Sequence, residues 1–182
     1  MTIRLSRDVD DMQQILDLQT LNHKQVLDDA QKADQGFVSV AHEIEVLWDM
    51  HCLSPHVVAE DHGQIIGYAL AMNKEFGKSI DGLQSTLDLI DQASYKGLQL
   101  NDTPYLIMGQ VCVAREARGQ KLVDRMYDFM SQTYRNQYRF FVTVNSLNNT
   151  RSIRVHERYG FEELFHESDE QDNWVVVIVD WK

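Results

Sequence analysis

Apolar positions recur along the chain in two rhythms, and the order of those rhythms outlines a fold. Met12, Ile15, Leu16 and Gln19 share one face of a helix that should begin near Asp8, where Asp8, Asp10 and Asp11 suit a helix start. Ile44, Leu47 and Trp48 mark a second helix, with Ser39 as its N-cap. Then the period shortens: His56–Glu60 and Gln64–Met72 read as a hairpin turning at Asp61, His62 and Gly63. Between Asn73 and Thr103, Ile80, Leu83, Leu87 and Ile90 fall on one helical face, which predicts a helical insertion at 73–103.

Tyr105–Val113 is a near-continuous apolar strand, and Gly109 in its middle marks a bulge or a close approach to the backbone. Leu122, Val123, Met126, Phe129, Met130 and Thr133 give a long amphipathic helix ending near Asn136, followed by a strand at Tyr138–Val144. A shorter helix covers Thr150–Tyr159. Gly160 closes it in the left-handed conformation, which lets Phe161 fold back on Val155 or His156. Strands at Phe161–Phe165 and Trp174–Trp181 complete a mixed α/β layer. No linker, repeat or low-complexity tract interrupts the pattern, so residues 1–182 read as one domain.

Composition narrows the function. The 182 residues carry 17 basic and 28 acidic side chains, a net charge of −11. A nucleic-acid groove would need clustered Lys and Arg, so that partner is excluded, whereas a cationic amine would be drawn in. A membrane partner is not expected either: the longest apolar run, Trp174–Val179, is far short of the ~20 residues a bilayer helix needs. The first residues show no secretory signal, and Cys52 and Cys112 read as reduced, buried thiols, which together predict a cytoplasmic protein. His51, His56 and His62, beside Cys52, fit no zinc spacing, so no metal is expected.

The chemistry concentrates in two segments. Strand, tight turn and long helix follow one another through Val111, Cys112, Val113, Arg118, Gly119, Gln120, Lys121, Leu122 and Val123. A helix N-terminus there offers unpaired N–H groups, with Arg118 and Lys121 adding charge, and this suits an anion. The alternative is a plain turn with solvated basic side chains. The second segment is Asn149-x-x-Ser152-x-x-x-His156-x-x-x-Gly160-Phe161.

Together the two segments, in this order of elements, resemble the GNAT superfamily of N-acetyltransferases. The resemblance implies a mixed, mostly antiparallel twisted sheet flanked by helices, with two central strands splayed to admit an acyl-CoA. It implies acetyl transfer from acetyl-CoA, as cosubstrate, to a small-molecule or peptide amine by direct attack. The CoA diphosphate is then expected on Arg118–Val123. The pantetheine arm would lie along the exposed backbone of Val111 and Val113, with Gln110 and Cys112 turned to the other face, and Asn149 and Ser152 beside it. Two positions depart from the family pattern: Lys121 and Val123 stand where Gly and Gly/Ala are usual. His156 stands where many members have Tyr, and is read as the acid that protonates the leaving thiolate, or else as a packing residue under Phe161. Glu60 is the candidate base, through a water, or else a solvated edge carboxylate. A non-catalytic acyl-CoA-binding or regulatory module of the same fold is the alternative function. A homodimer is open, since dimers are common in the family.

Overall fold

The chain opens with an edge strand that periodicity does not reveal. The structure, a computed structural model, describes residues 1–78, 80, 82–169 and 172–182. β1 (Thr2–Leu5) pairs antiparallel with β2 (Val57–Asp61), which turns into β3 (Gln64–Met72) through His62 and Gly63, both at positive φ. α1 (Val9–Asn22) starts where expected, the Asp8 carboxylate accepting the Asp11 N–H, and buries Met12, Ile15, Leu18 and Gln19. A short α2 (Asp29–Gln35), opened by a capping box between Asp28 and Gln31, has no counterpart in the sequence reading. α3 (Ile44–Leu53) begins after Glu43, so Ser39 is not its cap. Residues 36–43 instead run extended over the sheet.

Residues 73–103 form α4 (Lys74–Gly77), α5 (Gln84–Gln92) and a small hairpin of β4 (Ser94–Tyr95) and β5 (Leu98–Gln99) turning at Lys96 and Gly97. Leu87 and Ile90 are buried, whereas Ile80 and Leu83 precede α5. β6 (Tyr105–Val113) leads through a 3-10 turn at Arg115–Ala117 into α6 (Leu122–Tyr134), then β7 (Phe140–Ser146), α7 (Thr150–Tyr159), β8 (Glu162–Ser168) and β9 (Asn173–Asp180).

The main sheet has the order β1-β2-β3-β6-β7-β9-β8. Every neighbouring pair is antiparallel except β6 and β7, which run parallel. This is the mixed, mostly antiparallel sheet flanked by helices that the sequence implied. α1 and α3 pack on one face: Tyr68 reaches the α1 side, while its neighbour Gly67 faces Met126 of α6 on the other.

The pairing of β6 with β7 covers only Tyr105–Ile107 against Phe140–Val142. Beyond it the strands part. The register of β6 on β3 slips at the same place: Ala71 opposes Met108 and Ala69 opposes Val111, so Gly109 and Gln110 together face Leu70. That is a bulge, and it turns β6 away from β7. A Cβ at Gly109 would make only ordinary contacts, so the bulge rather than the missing side chain opens the sheet. No described helix is long and apolar enough to cross a membrane. Cys52 is exposed rather than buried, and Cys112 is buried; both are free thiols.

Candidate active site

Where β6 and β7 part, the sheet encloses a cleft of about 310 Å³. Its walls are the bulge (Met108–Val111), the end of β7 (Thr143–Ser146), Asn149 and Ser152 of α7, the extended segment from Phe37 to Val40, and Glu167 and Trp174 on β8 and β9. A second, smaller cavity of about 90 Å³ lies across that segment, lined by Val111, Cys112, Arg118, Val123, Arg151 and Val155. Phe37 and Val38 line both cavities, so the segment is the wall between them.

The turn before α6 holds two residues in the left-handed region. Gly119 has φ +80° and Lys121, the N-cap, has φ +55°. Left-handed backbone costs a non-glycine residue about 1 kcal/mol, so Lys121 adopts at some expense the conformation a glycine takes freely. No side chain caps the helix, which leaves its first N–H groups open. Gln120 and Lys121 are exposed; Leu122 buries its side chain in the core and offers only its backbone there.

Arg118 does not project over the helix end. Its Nε donates to Val113 O (3.1 Å), Nη1 to Gln35 Oε1 (2.9 Å) and Nη2 to Asn22 Oδ1 (2.7 Å). Arg151 donates to Asp34 O (2.8 Å). These acceptors are neutral, and neither arginine has an ion pair among the described residues. Two unneutralised cations therefore line the smaller cavity of a protein whose net charge is −11.

Asn149 caps α7, its Oδ1 accepting the Ser152 N–H (3.2 Å), while its Nδ2 donates to Phe37 O (2.8 Å). Oδ1 and one Nδ2 hydrogen are engaged; the second Nδ2 hydrogen has no acceptor among the described residues. The Ser152 hydroxyl donates to Asn145 Oδ1 (2.7 Å). Asn145, 5% exposed and lining the cleft, keeps an Nδ2 with no partner among the described residues. A buried donor left unpaired costs about 1–3 kcal/mol, and a ligand carbonyl would relieve it. As expected, Gln110 and Cys112 turn away from Val111 and Val113, toward Tyr68. Burial pushes the Cys112 thiol up to about 12, which removes it as a nucleophile.

The two residues read as acid and base lie elsewhere. His156 is 1% exposed and lines neither cavity. Its Nδ1 donates to Ser152 O (2.7 Å) and its Nε2 accepts from the Tyr127 hydroxyl (2.9 Å), under Phe161 at 5.0 Å between ring centroids. Desolvation lowers it to about 4, so it is neutral at pH 7 with both nitrogens engaged. It is a core histidine, not a proton donor to the cleft. Glu60 accepts from Arg4 (Nε and Nη2, 2.6 Å), which also binds Asp11 (2.6 and 2.8 Å), and it too is absent from the cleft. It is a structural ion-pair partner rather than a base.

A buried polar network that no sequence pattern marks ties α1, β3 and the bulge to the segment at Val40–His42. Gln19 Nε2 donates to Gln110 Oε1 (2.7 Å) and to His42 Nδ1 (2.8 Å), Tyr68 Oη donates to Gln110 Oε1 (2.5 Å), and Gln110 Nε2 holds Val40 O (2.9 Å). Because Nδ1 of His42 accepts, the network assigns its proton to Nε2. Desolvation lowers His42 to about 4, so the ring lining the cleft is a neutral N–H donor. The four residues come from four segments, and only the polar Gln110 inside an apolar strand could have signalled them. Among the described residues no cluster could hold a metal ion.

The sequence profile of the acetyltransferase (GNAT) family matches residues 20–161. No curated protein sequence matches the chain. Solved structures do. A Drosophila melanogaster polyamine N-acetyltransferase that forms N-acetylagmatine superposes with a TM-score of 0.67 at 15% identity, over 98% of this chain and 99% of that one. The Salmonella typhimurium yncA protein, solved with acetyl-CoA, gives 0.63 at 16% identity, over 100% and 94%. The Escherichia coli ribosomal-protein-S18-alanine N-acetyltransferase gives 0.65 at 8%, over 98% and 92%. At these identities the likeness is one of fold.

Proposed function

Because the chain belongs to the acetyltransferase (GNAT) family, we propose that it transfers an acetyl group from acetyl-CoA to a primary amine by direct attack. One observation carries this reading: an unneutralised arginine pair and an open helix N-terminus lie next to the gap between β6 and β7. A diphosphate fits the first, and a narrow acyl-pantetheine arm fits the second. Arg118, Arg151 and the N–H groups of Leu122 and Val123 would hold the phosphates. The β7-facing edge of the bulge and Asn145 Nδ2 would hold the arm's carbonyl groups.

The bound cosubstrate supplies a thioester: the amine nitrogen bonds to the acetyl carbon, the C–S bond breaks, and the proton lost by nitrogen balances the one gained by the thiol. No strong acid is required, since a thiol near ~8.5 leaves readily as thiolate and solvent can complete the protonation. The protein's part is positioning, and the His42 N–H would bond an acyl oxygen as charge develops on it.

The locked positions of His156 and Glu60 favour the second reading, a module that binds acyl-CoA without turnover. Titration calorimetry with acetyl-CoA, beside thiol release over a panel of amines, separates the two. The acetyltransferase binds and releases thiol with at least one amine. The module binds and releases none, and a chain that does neither overturns both readings.

A further inference from the structure

The far end of the cleft has a different chemistry from the gap between the strands. Glu167 on β8 opposes Trp174 on β9, which in turn opposes Ser146 on β7. Directly opposed residues share a face, so the three form one row, and all of them line the cleft. Two strand spacings set Glu167 about 10 Å from Ser146. Thr86 of α5, itself buried, donates its hydroxyl to Glu167 Oε1 (2.6 Å), fixing the carboxylate. Glu167 Oε2 has no partner among the described residues. Asp169 accepts the Trp174 indole N–H (2.9 Å), orienting the ring, and lines the cleft too. Facing them are Met72, Leu83 and Ile80.

Carboxylate, indole and thioether around apolar walls suit an alkylammonium or alkylguanidinium. The same cleft also holds the buried Nδ2 of Asn145, without a partner among the described residues and one residue from Ser146 on β7, a donor that a bound ligand's carbonyl would satisfy. Its volume of about 310 Å³ is that of a small-molecule site.

We propose that the acceptor is a small amine bearing a second cation a few carbons from the nitrogen that is acetylated, and that Glu167, beside Trp174, reads that second charge. The acceptor's own nitrogen lies toward the strand gap; its distal ammonium or guanidinium takes the open carboxylate oxygen. The proposal rests on the acetyl-transfer reading, and its test separates the two.

Thiol release from acetyl-CoA is measured for the parent and Glu167→Gln with three acceptors: agmatine, butylamine and a short peptide with an N-terminal alanine. Glutamine keeps an oxygen for Thr86 and replaces the charged, accepting oxygen with a neutral amide nitrogen. The parent should use agmatine at least tenfold better, in kcat/KM, than butylamine or the peptide. Glu167→Gln should lose about tenfold or more of the agmatine value, the scale of a hydrogen bond to a charged group. The loss should fall on KM, with butylamine changing less than twofold and CoA affinity unaltered. Calorimetric titration of agmatine into the CoA-loaded protein gives a readout without turnover, and Glu167→Gln should weaken that binding by a similar factor. A parent that prefers the peptide or does not distinguish agmatine from butylamine overturns the proposal. So does a variant that loses both amines equally, or an absence of agmatine binding to CoA-loaded parent. If agmatine binds through Glu167 but no thiol is released, the recognition stands and the acetyl-transfer reading fails.

Discussion

At one end of the binding region Arg118, Arg151 and the uncapped start of α6 present positive charge; at the other, Glu167 and Asp169 present negative charge. The basic end lies among neutral hydrogen-bond acceptors, so its charge is left for a ligand. At the acidic end Thr86 fixes one carboxylate oxygen and leaves the other open. The basic end is continuous along the chain, one strand–turn–helix plus the start of α7. The acidic end is assembled from α5, β8 and β9. An anion-binding turn needs mainly backbone geometry, which a family can keep; an acceptor pocket is made of side chains from separated elements, which can change one at a time.

The largest effect is expected at the turn. Gly119→Pro forces φ from +80° to the negative value of proline and removes an N–H, so CoA affinity should fall tenfold or more. Calorimetry checks this, and agmatine binding to the CoA-free protein should be unchanged, since the far end is built separately. Affinity within threefold of the parent in a folded variant would place the phosphates elsewhere.

His156→Ala should remove about 2–4 kcal/mol of stability, through the lost Tyr127 and Ser152 bonds and a cavity under Phe161. Its kcat per folded molecule should stay within a factor of three. A melting curve beside a rate normalised to folded protein decides; a stable variant slowed a hundredfold would restore the acid role.

Acid should weaken the fold itself. His42 and His156 are held near 4 and His56 near 3, all by desolvation, against an ordinary 6.5. The unfolded chain therefore takes up protons first as pH falls below 6.5. Stability from these groups is fully present above that pH and is lost progressively toward pH 4 and below. Tm should be flat from pH 8 to 7 and should decline below 6.5; a Tm rising over that lower range would contradict it.

Smallest is Lys121→Gly, which should add about 1 kcal/mol of stability by relieving the left-handed backbone. If the ammonium pairs with a bound diphosphate, the substitution should weaken CoA binding modestly and flatten its salt dependence. Denaturant unfolding and titrations at two salt concentrations test both halves; tighter binding at every salt would mean that the side chain obstructs.

The succession of most elements along the chain, a bulge at Gly109 and the strand–turn–helix at Arg118–Val123 were legible because each is local: a period, a glycine, a strand feeding a helix. β1 was not, being four residues with Arg4 in its middle, and without β1 Glu60 looked unpartnered at a strand end. His156 stayed open between a proton donor and a packing residue for a related reason. The turn at Gly160 lays Phe161 over the ring while Tyr127 comes in from α6, and only that packing shows desolvation to dominate. Ser39 looked like a cap because nothing local distinguishes a helix start from an extended segment tied down by Gln110 and Asn149. His42 and Glu167 reach the cleft through contacts across many residues, which spacing cannot encode.

Hydrogen exchange of backbone amides with and without CoA shows where the ligand lies. Exchange should slow in Met108–Val113 and Gly119–Asp124 and stay unchanged at β1 and around Glu60. Saturating CoA that slows neither segment, or slows β1 and β2 instead, would contradict this placement.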